Sequence, residues 1–106
     1  MSEQNFNFLS LPDFLLADIE KRITVLRSDL QHRDPSVLID HLRRLTKVRG
    51  NFAFDLISSI AWAAEVVCTT AATSARFLDH VEVKSLSHAL DAMDRARRTA
   101  ILSAAA

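Results

Sequence analysis

The chain has 106 residues, and its thirteen basic and thirteen acidic side chains give a formal net charge of zero. A chain of this length forms one domain around one core, and the balanced charge argues against a protein whose main task is to coat nucleic acid or an anionic membrane. One Gly and two Pro leave few turns. The composition therefore predicts an all-α, single-domain fold with short loops.

The N-terminal stretch, residues 1–10, shows no helical periodicity and is predicted to be an irregular arm. Its apolar side chains, Phe6, Phe8 and Leu9, have two interpretations: they close the open end of a helical bundle, or they dock on another chain. The stretch lacks the basic start and unbroken apolar run of a signal peptide, so we expect a cytoplasmic protein.

The first helix is predicted over about residues 12–33, with Pro12 and Asp13 in its first turn. Apolar residues then recur at alternating spacings of three and four, which predicts one buried stripe. The stripe consists of Leu16, Ile19, Ile23, Leu26 and Leu30.

The second helix is predicted over about residues 35–49, with Asp34 as its N-cap and Pro35 as its first residue. Its inward residues are Leu38, Leu42, Leu45 and Val48. We expect Gly50 to end this helix in a left-handed cap and Asn51 to cap the next helix.

The third helix, about residues 51–78, is long and apolar, and we expect a four-helix bundle-like fold built around it. One polar strip runs along it, and about two thirds of its circumference is predicted to be covered by neighbouring helices. Its length would cross a bilayer, but Asp55 and Glu65 make burial in lipid costly, so no membrane span is expected.

The last helix is predicted over about residues 86–103, after a linker at 79–84, with Ser85 or Ser87 as its cap. Its predicted inward residues are Leu86, Leu90, Met93, Ala96, Ala100 and Ile101.

No combination of residues points to catalysis, a metal or a cofactor, so we expect a protein that is not an enzyme. The four histidines, His32, His41, His80 and His88, are scattered and lack the spacing of a helical metal site. One glycine cannot form a phosphate-binding loop. Cys68 lies on the apolar side of the third helix, where it is predicted to be a buried small hydrophobe.

The polar strip of the third helix is the first candidate surface for a protein partner. Its candidate residues are Asp55, Trp62, Glu65, Val66 and Thr69. Tryptophan is costly to leave in water and common in binding hot spots. Either a flanking helix covers this strip, or the strip is an interface.

A basic run on the second helix is the second candidate surface. It consists of Arg43, Arg44, Lys47 and Arg49. Such a run can bind phosphates or an acidic protein surface, but cations are also favoured near any helix C-terminus by the macrodipole.

The opening SEQNFNFLSLPDF and the segment LRRLTKVRGNFAFDLISSIAWAAEVVCTT, taken with the size and helical pattern of the chain, resemble the phage-borne anti-CRISPR proteins directed against the type I-E CRISPR-Cas system. The resemblance implies stoichiometric inhibition. The partner would be either the crRNA-guided surveillance complex, which then cannot bind target DNA, or its recruited nuclease-helicase, which then cannot cut it. Because DNA mimics are strongly acidic and this chain is neutral, we expect a steric block at a protein surface.

Two other functions remain open beside a monomeric inhibitor. The first is a homodimerising regulatory module. The dimer would form where small side chains allow two backbones to approach, at Ala64, Cys68, Ala71, Ala72 and Ala75. A nucleic-acid-binding protein that uses the basic run is a weaker third alternative.

Overall fold

The computed structural model describes the backbone of residues 2–50 and 52–105 and the side chains of residues 14–50 and 52–101. The described residues form four α-helices and no strand. They are α1 Ser2–Leu30, α2 Pro35–Leu45, α3 Phe52–Thr73 and α4 His80–Ala105. The predicted all-α, four-helix bundle-like class is confirmed, and α3 is the long apolar helix.

The helices occupy the corners of a square. α1 and α3 each pack against both α2 and α4, and in the described part of the chain the backbones of α1 and α3 do not approach each other. α3 therefore has two helical neighbours, and the side facing away from both is left uncovered.

Leucine and isoleucine stripes from α1, α2 and α4 fill most of the core. Every inward residue predicted on the first two helices is buried, and Ile19 and Leu45 are fully so. Burying such a side chain contributes about 1.5–3 kcal/mol relative to leaving it exposed. On α4 the prediction is confirmed for five of its six inward residues. Ile101 is wrong, because its side chain is exposed near the helix end.

The predicted irregular arm over residues 1–10 is wrong, because α1 already begins at Ser2. These residues contain no glycine, and proline does not occur before Pro12. α1 therefore continues through Pro12, which donates no intrahelical hydrogen bond and which the sequence prediction placed in the first turn of the helix. Both interpretations of Phe6 and Phe8 concern side chains outside the described residues.

The start of α2 agrees with the prediction, whereas its end and its joint with α3 differ. Asp34 is the N-cap of α2 as predicted, and it accepts a hydrogen bond from the Ser36 N–H at 3.0 Å. α2 ends at Leu45 with Thr46 as its C-cap, four residues earlier than expected. Gly50 has φ +145°, and an added Cβ would lie 3.0 Å from Cδ2 of Phe54. Gly50 therefore makes the turn into α3 rather than capping α2. The predicted cap Asn51 lies outside the described residues.

α3 ends at Thr73, five residues before the predicted end at 78. The Arg76 N–H donates to the Ala71 carbonyl at 3.2 Å, and the Ala75 N–H donates to the Ala72 carbonyl at 3.0 Å. This pair of bonds is a Schellman motif, with Ala75 left-handed at φ 53°. Glycine usually occupies that position, so the alanine concealed the helix end in the sequence.

α4 begins at His80, six residues before the predicted start, so the expected linker at 79–84 is wrong. The Asp79 N–H donates to Oε1 of Glu82 at 2.9 Å, and the Glu82 N–H donates to Oδ1 of Asp79 at 2.8 Å. This reciprocal pair is a capping box, which replaces the predicted caps Ser85 and Ser87. Two hydrogen bonds from Arg76 to the Glu82 carboxylate, at 2.7 and 2.9 Å, hold it in place.

The two loops at this end of the bundle are joined by their backbones. The Leu78 N–H donates to the Arg33 carbonyl at 2.8 Å, and the Leu78 side chain is buried. The start of α4 is therefore attached to the turn between α1 and α2, in addition to its own capping box.

We expect Asp79→Ala to lower the free energy of unfolding by about 1 kcal/mol, because the N-cap acceptor of α4 is lost. Ser85→Ala is the matched control at one of the caps expected from the sequence. It should leave stability unchanged or slightly higher, since Ser85 is exposed inside the helix. Urea denaturation followed by circular dichroism measures both. A larger loss for Ser85→Ala would contradict the capping box.

The same capping box makes stability depend on pH. Hydrogen bonds from Arg76, followed by that from the Asp79 N–H, lower the pKa of Glu82 from 4.5 to about 2. A lowered carboxylate pKa contributes stability above pH 4.5 that is lost as the pH falls towards 2. Melting temperatures should therefore favour the wild type over Glu82→Gln at neutral pH, and the two should converge in acid. A difference that persists at the lowest pH would exclude the ionised carboxylate as its cause.

Candidate functional site

The buried side of α3 is narrower than the sequence predicted. Its buried residues are Ala53, Phe54, Ile57, Ala61, Ala64, Cys68 and Ala71. At about 100° per residue these positions span only about 100° of the helix circumference, against the two thirds expected. The cause is the square arrangement, in which α1 lies diagonally opposite and its backbone does not approach that of α3.

The uncovered side, here called the open face of α3, combines large apolar residues with small hydroxyl residues. Its exposed positions are Phe52, Asp55, Leu56, Ser59, Trp62, Ala63, Val66, Thr69, Thr70 and Thr73. The large side chains are exposed by 83% at Phe52, 64% at Trp62, 45% at Val66 and 42% at Leu56. Asp55 is the one charged residue in this set.

Four of the five residues predicted to bind a partner lie on this face. Asp55, Trp62, Val66 and Thr69 are all exposed, so no flanking helix covers the polar strip. Glu65 lies at the edge, where its carboxylate is 3.0 Å from Nε of Arg43 on α2. Glu65 therefore helps to attach α3 to α2.

Sequence reasoning missed Phe52, Leu56 and Ala63, which were assigned to the covered side of the helix. Because large apolar residues occur on the exposed side of α3 as well as on its buried side, hydrophobicity does not distinguish a core position from an exposed one here. The deciding fact is the number of helices that α3 contacts, for which the sequence contains no local signal.

α3 is also the one described helix that is long and apolar enough to cross a membrane, judged by length and composition alone. This is a weak indication, because the core helices of soluble proteins pass the same test. A third of its most apolar window is buried inside the bundle.

The predicted basic run does not form a uniform patch. Arg43 is paired with Glu65, and Nε of Arg44 is 4.0 Å from Asp40 one turn earlier. Arg49 donates to the carbonyls of Thr46 at 2.8 Å and Val48 at 2.7 Å and to Oγ of Ser58 at 2.8 Å. Its guanidinium therefore holds the α2–α3 loop together.

Lys47 differs from its neighbours in the run. It is exposed, and within the described residues no carboxylate lies within ion-pair distance of its amine. It is therefore the cation of the run with the greatest freedom to meet an external group.

Three of the five small residues predicted to form a close homodimer are not free to contact a second chain. Ala64, Cys68 and Ala71 are buried within the bundle, whereas Ala72 is half-buried and Ala75 is exposed beyond the end of α3. Burial, followed by the charges of Glu82 and Glu65, raises the pKa of the Cys68 thiol to about 12. Cys68 is thus a buried, protonated hydrophobe, as the sequence indicated.

In the described part of the chain, no group of three or more His, Cys, Asp or Glu side chains could hold a metal ion. Comparisons with protein-family models, curated proteins and solved structures found no match to the chain. What the protein binds is therefore inferred from its own surfaces.

The two kinds of cation in the basic run should respond differently to substitution. We expect Arg49→Ala to lower the free energy of unfolding by about 1 kcal/mol, because the loop carbonyls lose a charged donor. Lys47→Ala should change it by less than about 0.5 kcal/mol. Chemical denaturation of both variants tests this, and equal losses would contradict the structural role of Arg49.

Proposed function

We propose that this protein acts without catalysis, by binding another protein through the open face of α3. The exposure of Trp62 in the middle of a well-formed helix is the observation that carries the proposal. Tryptophan offers a large apolar area and an N–H donor, and it is among the residues most enriched in binding hot spots.

The chemistry around Trp62 supports a protein partner over a charged ligand. Val66 lies one turn further along, and Ser59, Thr69 and Thr70 provide hydroxyl groups around the apolar residues. An apolar centre with a polar margin and few charges is the usual composition of a protein interface. A helix of this length is about 33 Å long, which is enough for an interface of standard size.

For the partner, we propose a component of a type I-E CRISPR-Cas system, as the resemblance of the chain to anti-CRISPR proteins implies. Binding would block interference sterically, either at the surveillance complex or at the recruited nuclease-helicase. The zero net charge supports a steric block over DNA mimicry.

The test combines binding with immunity. Purified protein is titrated against the surveillance complex and against the nuclease-helicase, and plasmid-targeting immunity is measured in cells that express the system. Trp62→Ala should weaken binding by about 30-fold, equivalent to about 2 kcal/mol, and should restore immunity. Its melting temperature should stay close to that of the wild type, because Trp62 is mostly exposed.

Val81→Ala is the matched control, because Val81 is 73% exposed but lies on α4. It should bind as the wild type does. A large fall in melting temperature for Trp62→Ala with binding retained would contradict the proposal. Light scattering measures the oligomeric state. A wild-type dimer that Trp62→Ala dissociates would assign the open face to self-association instead.

A further inference from the structure

A groove of about 1000 Å³ lies between the middle of α1 and the C-terminal part of α2 with its joint to α3. Four large apolar residues line it: Phe14 and Leu15 from α1, Val48 from the joint, and Phe54 from α3. Phe14 is 70% exposed, although it is on the same helix as a well-buried stripe. The volume is at the upper end of the range for ligand sites, so several side chains of an occupant fit.

The charges that line this groove are mostly positive. Five cationic and two acidic side chains contribute to the lining. Both acids are already close to cations: Asp18 is 2.9 Å from Arg22, and Asp40 is 4.0 Å from Arg44. Within the described residues, Lys47 and Arg49 have no carboxylate partner, so their charges are uncompensated, and on Arg49 the nitrogen Nη1 is already bonded to the α2–α3 loop.

We propose that this groove binds an acidic amphipathic segment of another protein. The apolar side chains of the segment would pack against Phe14 and Leu15, and its carboxylates would meet Lys47 and Arg49. This combination is helix-in-groove recognition with complementary charge. The site is separate from the open face of α3, so it goes beyond the function proposed above.

A nucleic acid fits these observations less well. Asp18 and Asp40 in the lining would repel phosphate groups, and the chain as a whole is neutral. An amphipathic acidic segment uses both the apolar walls and the uncompensated cations.

The probe is a fluorescein-labelled helical peptide of about 16 residues, with Leu at helical spacing and Glu elsewhere, followed by fluorescence anisotropy. A second peptide replaces each Glu by Lys, and a third keeps the composition but shuffles the spacing of Leu. A single-stranded oligothymidine of similar length is the fourth probe. We expect only the first peptide to bind, with an affinity that falls as salt is raised.

Four variants of the full chain assign the site. Lys47→Glu and Phe14→Ala should each weaken peptide binding by about tenfold. Lys84→Glu makes the same charge change at an exposed position of α4 and should have no effect. Trp62→Ala should retain peptide binding, so failure of the groove is distinguishable from failure of the open face. Circular dichroism confirms that each variant is folded.

Three results would overturn the proposal. The first is no binding of the acidic peptide, or equal binding of the lysine or shuffled peptide. The second is equal loss for Lys47→Glu and Lys84→Glu. The third is binding of oligothymidine that Lys47→Glu abolishes while the acidic peptide fails to bind, which would assign the groove to nucleic acid.

Discussion

The small side chains on the inner side of α3 determine how the rest of the molecule is arranged. Five of its seven buried residues are Ala or Cys, and only Phe54 and Ile57 are large. Small residues let the leucines of α2 and α4 occupy the space between helices, in the alternation of large and small that fills a core. Phe52 and Trp62, two other large apolar residues of α3, consequently lie outside its contact with α2 and α4.

Hydrogen bonds hold the ends of the bundle together with the buried side chains of Leu78 and Val48. At one end, the Leu78 N–H joins the two loops, and Arg76 fixes the capping box of α4. At the joint between α2 and α3, Arg49 donates hydrogen bonds to two backbone carbonyls and to Oγ of Ser58. These bonds fix helix boundaries that the hydrophobic pattern misplaces: α2 ends earlier than the pattern predicts, and α4 begins earlier.

The core stripes of α1 and α2 could be read from the sequence, because leucine and isoleucine recur there at helical spacing between polar residues. The start of α4 was also present in the sequence, as Asp79 followed three residues later by Glu82, but the alternation around it suggested a linker. The end of α3 could not be read, because Ala75 occupies a left-handed position that usually carries glycine. The exposure of Phe52 and Leu56 depends on how many helices contact α3, which is a property of the assembled fold.

The two candidate surfaces are on different sides of α2, and they differ in charge. The open face of α3 is nearly uncharged, so a partner there gains affinity mainly from burying Trp62 and its apolar neighbours, and salt should have little influence on it. The groove beside α1 has uncompensated cations, so an occupant there gains much of its affinity from charge. Arg43 and Glu65 compensate each other's charge at the α2–α3 contact, so neither adds a free charge to either surface. Salt dependence therefore separates the two surfaces even before any residue is changed.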